Sequence, residues 1–110
     1  MYKTIISAAA LKTMLNQPDL VIIDCRFSLA DKEGGRKDYH QSHIPKAQYA
    51  HLDDDLSGEI IKGTTGRHPF PSIVKITRLL SNWGIDENTQ VIAYDQGHGG
   101  IAARLWFMLK

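Results

Sequence analysis

The stretch Leu20-Val21-Ile22-Ile23 decides the fold of this chain, because it is a continuous apolar run rich in β-branched residues. Such a run is typical of a strand that is covered on both faces, as in parallel sheets. Residues 90–94 (QVIAY) have the same character and predict a second buried strand. Residues 47–50 are a weaker strand candidate, and residues 4–6 (TII) predict a short first strand.

Helical segments separate these strands. Ser7 is in position to cap a helix over residues 8–15, which the proline at position 18 ends. Gly34-Gly35 predicts a loop, followed by a short helix over 36–41. Ser72 caps an amphipathic helix that Gly84 ends, with its predicted apolar face formed by Ile73, Ile76, Leu79, Leu80 and Trp83. A last helix follows residue 100. Alternating strands and helices predict an α/β domain with a largely parallel sheet.

Composition excludes several classes of protein. The 110 residues suffice for one domain, and 43% hydrophobic with 23% charged residues is the balance of a globular chain rather than a disordered one. A net charge of +1 gives no basic excess for nucleic acid, and no apolar stretch is long enough to cross a membrane. One cysteine excludes an internal disulfide framework. We therefore expect a cytoplasmic protein that binds neither nucleic acid nor membrane.

The loop that follows the strand at 90–94 is the first candidate site. It consists of Asp95, Gln96, Gly97, His98, Gly99 and Gly100. A glycine-rich loop between a strand and a helix N-terminus directs backbone N–H groups at one point, where they stabilise an anion. The alternative is a tight turn that needs glycine for its positive φ. No Lys-Ser/Thr pair follows the glycines, so the loop is not a nucleotide-binding P-loop.

The segment Asp24-Cys25-Arg26, at the end of the first buried strand, is the second candidate. Cys25 beside an arginine has two interpretations: a thiol with a lowered pKa that acts as nucleophile, or a small core residue, which is the usual role of a lone cysteine next to a buried strand. Asp24 and Arg26 lie two apart and so point to the same side, where they can pair.

Histidines and acidic residues supply weaker candidates. His40 and His43 have the i, i+3 spacing of a helical metal site, but no third ligand stands at diagnostic spacing, which favours solvated or loop-anchoring side chains. Asp53-Asp54-Asp55 fits either a hard-cation site, an acid/base pair or a solvated surface.

Several of these segments together resemble one family, the rhodanese-like sulfurtransferases. The matching pieces occur in the expected order: IIDCR at 22–26, GRKDY at 35–39, HIPKA at 43–47, TGRHPFP at 65–71, and VIAYD at 91–95 running into AARLWFML at 102–109. They are most similar to the N-terminal half of a tandem sulfurtransferase of the thiosulfate or 3-mercaptopyruvate type. The resemblance implies a three-layer α/β domain over residues 1–110, with a central, mostly parallel sheet and a truncated C-terminal strand and helix.

Rhodanese chemistry requires a cysteine at the first position of the loop that here begins with Asp95. The resemblance therefore implies that this chain alone is inactive, and that the persulfide forms on a cysteine of a C-terminal rhodanese domain, its partner. A small sulfur compound is the implied substrate, and no cofactor or metal is implied.

Three further residues take their roles from the same resemblance. Asp53 and His68 match an aspartate and a histidine that assist proton transfer in mercaptopyruvate-type enzymes, although loop anchoring explains them about as well. Arg104 matches an arginine near the domain interface, and we expect its role to be structural. Lys46 stands where the family has glycine, which predicts a turn with another conformation or a milder φ.

Two alternatives stay open beside the sulfurtransferase domain. The chain could be a non-catalytic binding or regulatory module that docks a partner through its terminal helix, or Cys25 itself could carry sulfur. Because the apolar residues 105–109 need cover, we also expect self-association of the fragment.

Overall fold

The computed structural model of the chain describes residues 5–61, 63, 68–96 and 99–109. Helices and strands alternate in the order α1 (Ala8–Met14), β1 (Leu20–Asp24), α2 (Gly34–Gln41), β2 (Gln48–Tyr49), α3 (Ile73–Asn82), β3 (Gln90–Tyr94) and α4 (Gly100–Met108). β1 lies in the middle of the sheet and pairs in parallel with β2 on one side and β3 on the other. The predicted α/β architecture with a parallel sheet is confirmed.

The alternation of side chains along β1 and β3 produces two apolar cores, one on each face of the sheet. Ile23 packs in the larger core with residues of α3 and α4, among them the fully buried Leu105. Ile22 and Ile92 pack in the smaller core with Leu11 of α1, and Tyr39 of α2 packs against it. The helices therefore form two layers around the sheet, which is the three-layer arrangement that the family resemblance implied.

Two predicted caps fix the starts of helices. The Ser7 hydroxyl accepts a hydrogen bond from the Ala10 N–H at 3.1 Å, and the Ser72 hydroxyl accepts one from the Lys75 N–H at 3.2 Å. Gly84 follows α3 with a φ of 73°, as expected for a helix stop. The predicted apolar face of α3 is wrong at Ile73, which is 82% exposed, because the first turn of α3 extends past the core.

Three other local predictions are corrected. Ile5 and Ile6 belong to no strand, and Ile6 instead packs against the smaller core; Thr4 lies outside the described residues. Gly34 and Gly35 belong to α2 rather than to a loop. Lys46 does not avoid the glycine conformation, since its φ of 70° is in the left-handed region. No helix in the described part of the chain is long and apolar enough to cross a membrane.

Candidate functional site

A buried carboxylate ties the carboxyl ends of β1 and β3 together. Asp24 is fully buried, and its carboxylate accepts hydrogen bonds from the Arg26 guanidinium at 2.7–3.1 Å and from the Tyr94 hydroxyl at 2.9 Å. The hydrogen bond with Asp24 raises the pKa of Arg26. Arg26 also donates to the Ser42 carbonyl at 2.6 Å. Sequence analysis predicted the Asp24–Arg26 pair, and the structure shows that it fastens neighbouring segments.

Cys25 is a core residue. Its side chain is fully buried in the larger core, and the thiol lies 4.0 Å from the Ile23 carbonyl oxygen. Burial, followed by the charge of the adjacent Asp24, raises the pKa of the Cys25 thiol well above its ordinary value. A fully buried thiol is not accessible to a sulfur donor, so the structure supports the interpretation of Cys25 as a core residue.

The Asp95 carboxylate occupies the N-terminus of α4. It accepts hydrogen bonds from the backbone N–H groups of Gly99 at 3.2 Å, Ile101 at 3.2 Å and Ala102 at 2.9 Å. Gly99 has a φ of 84° and precedes Gly100, the first residue of the helix, so both the anion-nest and the glycine-turn interpretations describe this loop. The anion that the N–H groups bind is the side chain of Asp95 itself.

Three further residues of this loop, Gln96, Gly97 and His98, were predicted to belong to the site. Gln96 is exposed to solvent, while Gly97 and His98 lie outside the described residues.

Asp53 and His68, fifteen residues apart in sequence, form a side-chain pair. The Nε2 atom of His68 lies 2.9 Å from Oδ1 of Asp53, and both side chains keep partial solvent access, at 22% and 29% exposed. A carboxylate oxygen at this distance accepts a hydrogen bond from an N–H at Nε2, so Nδ1 is the ring nitrogen that Asp53 does not engage. This geometry suits an imidazole that exchanges a proton with a bound molecule.

Arg104 holds the backbone that carries His68. Its Nη2 donates to the carbonyls of His68 at 2.7 Å and Pro69 at 2.8 Å, and its Nε donates to the Leu56 carbonyl at 2.7 Å. The guanidinium also stacks over the Phe70 ring, 4.5 Å from its centroid. Burial lowers the pKa of Arg104. Because Arg104 follows Ala102 by two residues, α4 connects the Asp95 carboxylate to the histidine loop.

His51 is a residue that the sequence prediction did not single out. Its imidazole is almost completely buried, and its Nδ1 accepts from the N–H groups of Asp53 and Asp54, both at 3.2 Å. A polar side chain that accepts hydrogen bonds from the N–H groups two and three residues later caps a turn, and this role usually belongs to Asp or Asn. In the sequence, the signal for this turn-capping role was the position of His51 two residues before Asp53.

The remaining histidine and acidic candidates are used within the fold. His43 stacks on Tyr39 with centroids 3.9 Å apart, and Asp54 pairs with Arg36 at 3.1 Å. Asp55 accepts from the His51 N–H at 2.7 Å. Among the described residues, no three His, Cys, Asp or Glu side chains converge as metal ligands.

Comparison with known proteins identifies the family to which this arrangement belongs. Residues 7–110 match the family model described as "Rhodanese-like domain". The chain is 43% identical over 105 residues to a Pseudomonas aeruginosa protein named "Probable 3-mercaptopyruvate sulfurtransferase", covering 96% of this chain and 37% of that protein. It is 30% identical over 107 residues to Arabidopsis thaliana "Thiosulfate/3-mercaptopyruvate sulfurtransferase 1, mitochondrial", covering 96% of this chain and 27% of that protein.

A solved structure gives the same result at the level of the fold. The 3-mercaptopyruvate sulfurtransferase from Leishmania major superposes with a TM-score of 0.78 at 30% identity, over 90% of this chain and 27% of that one. The chain thus spans between about a quarter and somewhat more than a third of the length of these relatives. Matched along nearly its whole length by the family model and by a solved relative, the chain belongs to the rhodanese family and is homologous to sulfurtransferases.

Proposed function

We propose that this chain is the N-terminal, non-catalytic domain of a cytoplasmic tandem sulfurtransferase that moves sulfur from thiosulfate or 3-mercaptopyruvate to cyanide or a thiol. In this proposal residues 1–110 are an incomplete rhodanese domain, and its partner is a C-terminal rhodanese domain with the catalytic cysteine. The observation that carries the proposal is Asp95, a carboxylate that fills the amide-lined loop where the family reaction places a persulfide.

The chemistry of the reaction explains why Asp95 separates this domain from a catalytic one. With thiosulfate, a cysteine thiolate forms a bond to the outer sulfur while the bond from that sulfur to sulfite breaks, which leaves a persulfide anion and free sulfite. Attack by cyanide then yields thiocyanate and restores the thiolate. A carboxylate oxygen forms no persulfide. The Asp95 carboxylate already accepts hydrogen bonds from the N–H groups that would stabilise a persulfide anion.

In the proposed enzyme, the Asp53–His68 pair assists from this domain. The His68 Nδ1 lone pair accepts a proton from the substrate or from a group of the second domain, and Asp53 stabilises the imidazolium that results. Partial exposure of both side chains and the 2.9 Å distance between them support this role.

The test uses the Pseudomonas relative as a host. In one protein the chain stands alone, and in the other it replaces the segment of the relative that it matches. With 3-mercaptopyruvate or thiosulfate as donor, we expect no turnover from the isolated chain and turnover from the chimera, which Asp53→Asn lowers roughly 10-fold or more. Turnover by the isolated chain that survives Cys25→Ser would overturn the proposal, as would a chimera that is folded but inactive.

An apolar surface near Arg104 is the observation behind the second candidate, a binding or regulatory module, and it fits the first candidate as well. Phe70 and Phe107 are 53% and 59% exposed and stack with centroids 5.4 Å apart. In a sulfurtransferase this surface would meet the second domain, whereas in a module it would dock a partner or a second copy. Light scattering of the isolated chain tests whether this surface binds a second copy: mass that rises with concentration and falls after Phe107→Ser supports self-association, and a monomer at every concentration contradicts it.

A further inference from the structure

The proposed chemistry makes no use of His51, although this residue is only 2% exposed and its imidazole contacts both polar groups and aromatic rings. Nε2 of His51 lies 2.8 Å from the Lys32 carbonyl oxygen and 3.0 Å from a Glu33 carboxylate oxygen, while Nδ1 faces the N–H groups of Asp53 and Asp54. Phe27 and Tyr49 pack edge-on against the ring, with centroids 5.2 Å and 6.3 Å away.

These contacts fix the protonation of the ring. Two N–H donors face Nδ1, so this atom must present its lone pair; two oxygen acceptors face Nε2, so the proton is there. The carboxylates around the ring have other partners, since Arg36 pairs with both Glu33 and Asp54. His51 therefore joins the segment before α2 to the turn that begins at Asp53.

We propose that His51 is a positioning residue for the Asp53–His68 pair: its Nδ1 holds the turn that directs the Asp53 carboxylate at His68. The connection from His51 to the Asp53 carboxylate is short, because Asp53 itself supplies one of the N–H groups that donate to Nδ1 of His51. Arg104 holds the opposite side of the pair through the His68 carbonyl, so each member is fixed through its own backbone. This inference rests on the proposed function for its catalytic consequence but not for its structural one.

Two isosteric substitutions separate the roles of the two ring nitrogens. Asparagine places its amide oxygen where Nδ1 lies and preserves the turn cap, whereas glutamine reaches the position of Nε2 and does not. In the isolated chain, amide hydrogen exchange should show protection of the Asp53 and Asp54 N–H groups retained in His51→Asn and reduced roughly 2- to 10-fold in His51→Gln. Near-ultraviolet circular dichroism checks that both variants fold.

A double-mutant cycle in the chimera tests whether His51 acts through Asp53. We expect His51→Gln to lower kcat about 10-fold with Asp53 present and less than about 2-fold after Asp53→Asn, with His51→Asn restoring most of the activity. Equal losses in both backgrounds, or equal protection of the amides in the two variants, would refute the positioning role. If Asp53→Asn alone leaves activity unchanged, the proposed function fails for this pair, and the exchange data still decide the role of His51.

Discussion

Replacing Asp95 with alanine should destabilise the domain by removing the cap of α4. Gly99 stands at the cap position and has no side chain, so the carboxylate of Asp95, four residues earlier, satisfies three N–H groups there, those of Gly99, Ile101 and Ala102. Without it, these N–H groups lose a charged acceptor at the positive end of the helix dipole.

The size of the effect follows from these contacts. Loss of an N-terminal cap costs about 0.5–2 kcal/mol, and loss of the charge next to the dipole costs about 0.3–1 kcal/mol. We therefore expect Asp95→Ala to lower the free energy of unfolding by about 2 kcal/mol and Tm by about 10 °C. Asp95→Asn, which keeps one acceptor oxygen but no charge, should lose about half as much.

Urea unfolding followed by circular dichroism measures the difference, with Glu87→Ala as the control because Glu87 is an exposed carboxylate in another turn. The control should stay within about 0.5 kcal/mol of the parent chain. Amide exchange at Ile101 and Ala102 localises the loss to the start of α4. A change below about 0.5 kcal/mol in Asp95→Ala would show that the carboxylate does not stabilise the helix, and would refute the reasoning.

Two further substitutions test the turn at Lys46 and the network at Asp24. Lys46→Gly should raise the free energy of unfolding by about 1 kcal/mol, because the φ of 70° costs lysine about 1–2 kcal/mol and costs glycine little. Urea unfolding measures this difference, with Lys46→Ala as the control because alanine keeps the backbone strain. Equal stability of the two variants would contradict the prediction. Tyr94→Phe should lower the free energy of unfolding by about 1–3 kcal/mol near neutral pH, since it removes the donor to Asp24 and the acceptor of the Ile44 N–H. Burial is the main cause that raises the pKa of Tyr94 to about 12, so its contribution is complete below pH 10 and is lost as pH rises towards 12. Alkaline unfolding curves of the variant should therefore be flatter than those of the parent chain over this window, and identical slopes would exclude Tyr94 as a cause.

Local sequence signals were sufficient where the interactions are local. The Ser72 hydroxyl accepts a hydrogen bond from the Lys75 N–H, and these residues are only three apart. The apolar run in β1 needs only burial to become a strand. The family motifs extended this to the three-layer architecture. The Asp24–Arg26 pair was also predictable, because two residues of spacing place both side chains on one side.

Predictions failed where distant parts of the chain impose a conformation. Gly34-Gly35 has the composition of a loop, yet a Cβ at Gly35 would lie 1.9 Å from the Arg26 carbonyl oxygen, so glycine is needed there for close packing of α2. The sequence also suggested that lysine at position 46 would avoid the glycine conformation. The backbone keeps a φ of 70° there, and the Lys46 ammonium donates to the Leu15 carbonyl at 3.3 Å.

The sequence by itself determined the alternation of helices and strands from residue 8 onward and the family, because both depend on residue types and short spacings. Only the tertiary structure decided that Asp53 meets His68, that Arg104 and His51 hold the two from opposite sides, and that Cys25 is sealed in the core. The Asp53–His68 and Arg104–His68 contacts join residues 15 and 36 positions apart, and their formation depends on how distant loops converge, which no local pattern records.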